Sequence, residues 1–233
     1  MIYQHRLVIA RGGRLVKRHA IFERETLSAL EAHSSVLIGA WEVWIGADAG
    51  SAVYQIRQFE SLAAWEQHQD ALRRDRTFTS TRDTNLFPSI DFVTTSIVRR
   101  ADGSPELPKT WPGVEAVRGT DRGVYEQRIL YFRPELVQSH HQRYFSEVAT
   151  ALEREGATLV AFFDTLIGPG TTNAGSHRSI ELRRFPDLAG WQRWRQAQDN
   201  DAGLARLTKE TWPVLVDRIE STLLAPLDYS RMR

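Results

Sequence analysis

Apolar residues fall on both parities of the opening stretch, at Ile2, Tyr3, Leu7, Val8 and Ile9, and the run stops at Arg11-Gly12-Gly13. A β-branched and aromatic run ending on a glycine pair predicts a strand, and apolar residues on both parities predict burial of both faces. The period then changes. Leu15, His19, Phe22 and Leu30, with Val16 and Leu27 beside them, recur at helical spacing and predict a helix over Arg14 to Ala32. Val36 to Ile45 and Ala52 to Phe59 are strand-like again, and the loop Gly46-Ala47-Asp48-Ala49-Gly50-Ser51 between them predicts a hairpin. Ser61 stands at an N-cap position before Leu62-Ala63-Ala64-Trp65, where its oxygen accepts from free first-turn amides, so a helix is expected from there to about Arg74. Phe92 to Val98 supplies a fourth strand.

The order β-α-β-β-α-β is then spelled a second time. Tyr125-Glu126-Gln127-Arg128-Ile129 echoes Tyr3-Gln4-His5-Arg6-Leu7, and Phe163-Asp164-Thr165-Leu166-Ile167-Gly168 echoes Trp41-Glu42-Val43-Trp44-Ile45-Gly46, both 122 residues on. Pro134 suits a first helical turn, followed by a stripe of Val137, His141, Tyr144, Phe145, Val148 and Leu152. Asp187 repeats the N-cap of Ser61, and its helix is expected to reach about Gln198 before a last strand over Val216 to Leu224. Here the offset is 126, which places a short insertion at Gly170 to His177. Arg99 to Gly113, with three prolines and two glycines, reads as the linker. The expected domains are therefore 1–99 and 122–233 with a linker at 100–121. The expected fold class is α+β: two tandem ferredoxin-like domains packed sheet to sheet as a pseudo-dimeric α/β barrel.

Composition narrows the chemistry more than the fold. Net charge is +1 with basic residues scattered through both halves, so no nucleic-acid footprint stands out. There is no cysteine, which removes disulfides and thiolate chemistry. No run approaches the roughly 20 apolar residues that span a bilayer, and no membrane association and a cytoplasmic location are expected.

Three short segments carry a family resemblance: Tyr125-Glu126-Gln127-Arg128 opening a repeat, Gly39-Ala40-Trp41 in the second strand, and Phe59-Glu60-Ser61-Leu62-Ala63 entering the second helix. Together they resemble the NIPSNAP family of the dimeric α/β-barrel superfamily. Gln4 departs from the acidic opening residue, and Gln127 from an apolar one. The resemblance implies ferredoxin-like domains, and superfamily relatives include cofactor-free monooxygenases, lactone isomerases, polyketide cyclases and haem enzymes.

Charged residues expected inside are the candidates for a site, because an unpaired buried charge costs several kcal/mol. Arg6 and Arg128 are mid-strand at equivalent positions, as are Arg57 and Arg183, with Glu126, Glu181, Glu42 and Asp164 as available acids. They either form structural ion pairs or hold an anionic oxygen of a small organic ligand, with Tyr3, Tyr125, Trp41 and Glu42 as further ligand contacts. His19 and His141, 122 residues apart, are candidates for moving a proton, or are core histidines satisfied by a neighbour. Trp41, Trp44, Trp65 and Trp191 are expected in the core, and Trp111 as a buried anchor. No zinc, calcium, nucleotide or nucleophile-elbow motif is present; haem would need a ligand such as His68, and no cofactor is expected. The candidate functions are a cofactor-independent isomerase, cyclase or monooxygenase acting on a small organic substrate, or a non-catalytic interaction protein. A homodimer is the expected assembly.

Overall fold

The structure is a computed structural model that describes residues 1–117, 123–169 and 177–232. The segment predicted as an insertion, Gly170 to His177, lies outside the described residues except for His177, as does the 118–122 part of the predicted linker.

The fold is α+β, with the predicted order in each half. Strand β1 (Ile2–Ala10), helix α1 (15–32), the hairpin β2 (Val36–Ile45) and β3 (Ala52–Phe59), helix α2 (Leu62–Arg74), helix α3 (76–86) and strand β4 (Ile90–Arg100) form the first copy. Strand β5 (Val124–Phe132), helix α4 (134–154), the pair β6 (Thr158–Ile167) and β7 (His177–Phe185), helices α5 (Leu188–Asn200) and α6 (202–215), and strand β8 (Arg218–Pro226) form the second. In each copy the first strand pairs antiparallel with the third and fourth, and the second pairs with the third. This is the ferredoxin-like sheet. Every residue of β3 is buried, as expected for a strand covered on both faces.

Local chemistry explains the elements. Ser61 Oγ accepts from Ala64 N at 3.1 Å and Asp187 Oδ1 from Gly190 N at 2.6 Å, so both second helices start on the predicted caps. Both long first helices widen by a π turn at the same point of the repeat, Phe22–Thr26 and Tyr144–Val148, a feature that often marks functional positions. The bulge at Leu37/Gly39 recurs at Leu159/Ala161. A Cβ at Gly39 would collide with the Trp41 ring, which explains the small residue there. Of the four tryptophans expected in the core, Trp41 is fully buried, Trp65 and Trp191 are half-buried, and Trp44 is corrected, being 53% exposed near the hairpin loop.

Two compact units emerge, and the predicted linker is divided between them. The first holds Met1–Val98, Thr110–Thr120 and Pro226–Arg233; the second holds Arg99–Lys109 and Asp121–Ala225. The tail after each fourth strand is thus grouped with the opposite copy. Ser230 Oγ accepts from Ala40 N at 3.1 Å, and Ser104 Oγ accepts from Phe162 N at 2.8 Å, the same bond one repeat apart. Trp111, the expected anchor, donates from Nε1 to Gln58 Oε1 at 2.7 Å.

Candidate functional site

Side chains alternate along a strand, so Gln4, Arg6 and Val8 of β1 face the helices while Tyr3, His5 and Leu7 take the other face. Across the ladder Gln4 stands opposite Arg57, and Arg6 opposite Gln55. From α1, Arg18, Phe22 and Thr26 reach the same space. Gln4, Arg6, Val8 and Arg57 of the sheet and these three of α1, with Trp65 and Leu72 of α2 and Phe78 of α3, line a cavity of about 350 Å³ in the first unit, and Gln55 is not among its lining residues. No carboxylate is among its described lining residues.

The cavity is electrostatically unbalanced. Arg18 and Arg57 are 1% and 3% exposed, and Arg6 is partly buried. None of the three forms an ion pair among the described residues. Among the described residues Arg57 has only a 3.5 Å contact from Nη2 to Gln55 Oε1, and Nε of each arginine and Nη1 of Arg18 are buried without a partner there. Burial, reinforced by the neighbouring cation Arg18, pushes Arg6 down to about 10. Burial, with Arg6 and Arg18 close by, holds Arg57 well below the ordinary arginine range. Burial also lowers Arg18, which its hydrogen bond to Tyr229 partly offsets. Taking a charge out of water costs several kcal/mol unless a counter-charge meets it.

The second unit keeps the arginines and supplies the counter-charges. Glu126 stands opposite Arg183, and Arg128 opposite Glu181. Arg128 Nη1 lies 3.3 Å from Glu181 Oε2, and Arg183 Nη1 lies 3.3 Å from Glu126 Oε2. Arg183 Nε and the Tyr144 hydroxyl both donate to Glu181 Oε1. Burial alone would lower Arg183, but Glu181, Tyr144 and Glu126 outweigh it and hold the guanidinium above its usual range. Burial raises Tyr144, so its hydroxyl stays protonated and donates.

The two predicted histidines have different surroundings. Neutral His19 has Nδ1 3.0 Å from the Tyr229 hydroxyl, and its Nε2 is 3.9 Å from Glu42. Burial, with Arg18 adjacent, pushes it down to about 4. The chain of contacts therefore runs from Arg18 through Tyr229 to His19; the imidazole is not among the residues lining the cavity. His141 does line a cavity, one of about 570 Å³ in the second unit that also includes Arg99, Arg100, Asp102 and Asp164. Its Nε2 is 3.5 Å from Asp164 Oδ1, which also accepts from Ser179 Oγ at 2.7 Å and lies 3.1 Å from His177 Nε2. Burial works to raise Asp164, but His177, His141 and Ser179 together hold it below the usual carboxylate range.

Of the predicted ligand contacts, Arg6 and Arg57 meet in the cavity, whereas Arg128 and Arg183 meet in the ion network. Tyr3 and Tyr125 are buried on the sheet face turned away from the helices, Trp41 packs over Gly39, and Glu42 approaches His19. His68 is buried and donates from Nδ1 to the His33 carbonyl at 2.6 Å. Among the described residues no group of three or more His, Asp or Glu side chains is placed to hold a metal ion. Sequence reasoning passed over Arg18, Gln55, Phe22 and Tyr229. The signal was the difference between repeat partners: Arg18 for His140, Gln4 for Glu126, Gln55 for Glu181 and Phe22 for Tyr144.

The NIPSNAP family model matches residues 125–231, from the second residue of β5 into the C-terminal tail. That stretch is a NIPSNAP domain. No curated protein matches the chain. Solved structures similar over nearly the whole chain include an anthrone oxidase-like protein, at 13% identity and TM-score 0.61, covering 97% of this chain and 91% of that one. A candidate monooxygenase of Fusobacterium nucleatum subsp. nucleatum is similar at 11% identity and TM-score 0.60, covering 97% and 92%. Another, of Lactobacillus acidophilus, is similar at 12% identity and TM-score 0.58, covering 97% and 93%. At these identities the likeness is one of fold. The NIPSNAP match thus falls on the copy with neutralised arginines, and the unbalanced cavity belongs to the other.

Proposed function

We propose that the first unit binds a small organic anion and that the protein acts as a cofactor-independent small-molecule enzyme on it. One observation carries this reading: three arginines with buried, unpartnered nitrogens converge on a cavity of about 350 Å³ that has no acid among its described lining residues. That volume lies in the range of small-ligand pockets, and apolar walls with a few convergent polar groups are their usual make-up. Phe22, Leu72, Phe78 and Trp65 offer an apolar surface for the body of the ligand.

Fixed guanidiniums in a water-poor site stabilise negative charge as it develops on oxygen, without reorganisation at the moment of reaction. Isomerisation or cyclisation through an enolate, and oxygenation through a phenolate or enolate, all develop such a charge. The likeness in fold to an anthrone oxidase-like protein supports the oxygenation member of this set. Binding without turnover is a second reading, favoured by one fact: no Asp, Glu, His or Tyr is among the described lining residues to move a proton.

Thermal melting at constant ionic strength tests the binding step with benzoate against its neutral isostere benzamide. Benzoate raises the melting temperature and benzamide does not, and Arg57→Gln removes the benzoate shift. Equal shifts from both compounds would overturn the anion site.

A further inference from the structure

Resting on the anion-site reading, we infer that the ligand carries two separate carboxylates, which answer Arg6, Arg18 and Arg57 from within the cavity as Glu126 and Glu181 answer the arginines of the second unit. The two units have the same cross-strand register at this point. Gln4 opposite Arg57 repeats Glu126 opposite Arg183, and Arg6 opposite Gln55 repeats Arg128 opposite Glu181. The second unit is therefore an internal picture of the first with its anions in place.

The exchanges between the copies all point the same way. Glutamine keeps nearly the length of glutamate and removes its charge, and it does so at both positions. Phe22 in place of Tyr144 deletes the hydroxyl whose role was to donate to Glu181. The arginines are untouched, and a further cation, Arg18, 1% exposed, stands where the second unit has His140. A single carboxylate can bridge both cross-strand arginines, as Glu181 does with Arg128 and Arg183, but it brings one negative charge to three cations. Two carboxylates on one small body bring the two negative charges that Glu126 and Glu181 bring to the second unit, and Arg18 adds attraction that the second unit does not need. Bidentate arginine–carboxylate pairs are the strong form of this contact.

Titration calorimetry at constant ionic strength separates the possibilities with benzoate, isophthalate and phenyl phosphate. Isophthalate is expected to bind at least tenfold more tightly than benzoate, and more tightly than phenyl phosphate, whose charge sits on one group. The double variant Gln4→Glu/Gln55→Glu, checked for folding by near-ultraviolet circular dichroism, should lose isophthalate binding because its own carboxylates occupy the arginines. Benzoate equal to isophthalate, or phenyl phosphate tighter than both, would overturn the two-carboxylate inference and leave the anion site standing. No heat from any of the three would overturn the anion site and this inference with it.

Discussion

In the second unit two buried arginines face two glutamates across the β5–β7 ladder; in the first, the same ladder positions pair arginine with glutamine. Backbone, bulge, π turn and N-cap are shared, so the difference is almost purely electrostatic. The second unit balances its charge internally and gains a rigid, satisfied network, which locks the sheet to helix α4 through Tyr144. The first keeps the cations and gives up the balance, which costs stability and leaves a cavity with a standing demand for negative charge. Duplication supplies both outcomes: one copy holds the scaffold while the other is free to change its polar residues.

The largest effect should come from making the second unit resemble the first. Glu181→Gln removes the acceptor of Arg128, Arg183 and Tyr144, and the loss is expected at about 3–5 kcal/mol in chemical denaturation, as for other broken buried ion pairs. A loss under about 1 kcal/mol would mean that the network is not what stabilises this unit.

Acid should destabilise both units through their buried neutral histidines. Burial, with His141, Arg128 and Arg183 nearby, pushes His140 down to about 3, and His19 lies at about 4. Both folded values are below the unfolded value of about 6.5, so the unfolded chain takes up protons first as pH falls, and stability is present above about 6.5 and lost below it. At pH 5 the expected loss is about 2 kcal/mol from each histidine, read from denaturation midpoints. A flat profile between pH 7 and 5 would contradict the buried neutral rings.

Making the first unit resemble the second at one position should weaken the anion without emptying the site. Arg18→His is expected to lower isophthalate affinity by roughly 10- to 100-fold, the worth of one charge-assisted hydrogen bond. Unchanged affinity would remove Arg18 from the site.

The smallest effects should be equal in the two units. Ser104→Ala and Ser230→Ala each strand a buried strand amide, and each is expected to cost about 1–2 kcal/mol. Unequal losses would show that the two tails are not repeat partners.

Much of the fold was legible because hydrophobic period and caps are local signals. Val36–Ile45 and Ala52–Phe59 stand where the pattern puts them, and Ser61 and Asp187 open the helices they were expected to open. Helix α3 was not, since Arg76-Thr77-Phe78-Thr79-Ser80-Thr81 is threonine-rich and carries no apolar stripe. The tail after β4 read as a linker because proline and glycine report broken periodicity, whereas the burial of Ser104 depends on a distant strand. For the site, mid-strand arginines were visible as charges out of place. Which of them would be paired was not, because that depends on cross-strand register and on Arg18 arriving from a helix. Setting the two repeats side by side and following only charge would have picked out Gln4, Gln55 and Arg18.

The most direct test of the central claim is side-chain NMR of the arginine Nε–H groups while isophthalate is added at constant ionic strength. Arg6, Arg18 and Arg57 are predicted to shift and saturate together, while Arg128 and Arg183, already held by Glu126 and Glu181, stay where they are. Resonances that move alike in both units, or none that move in the first, would contradict it.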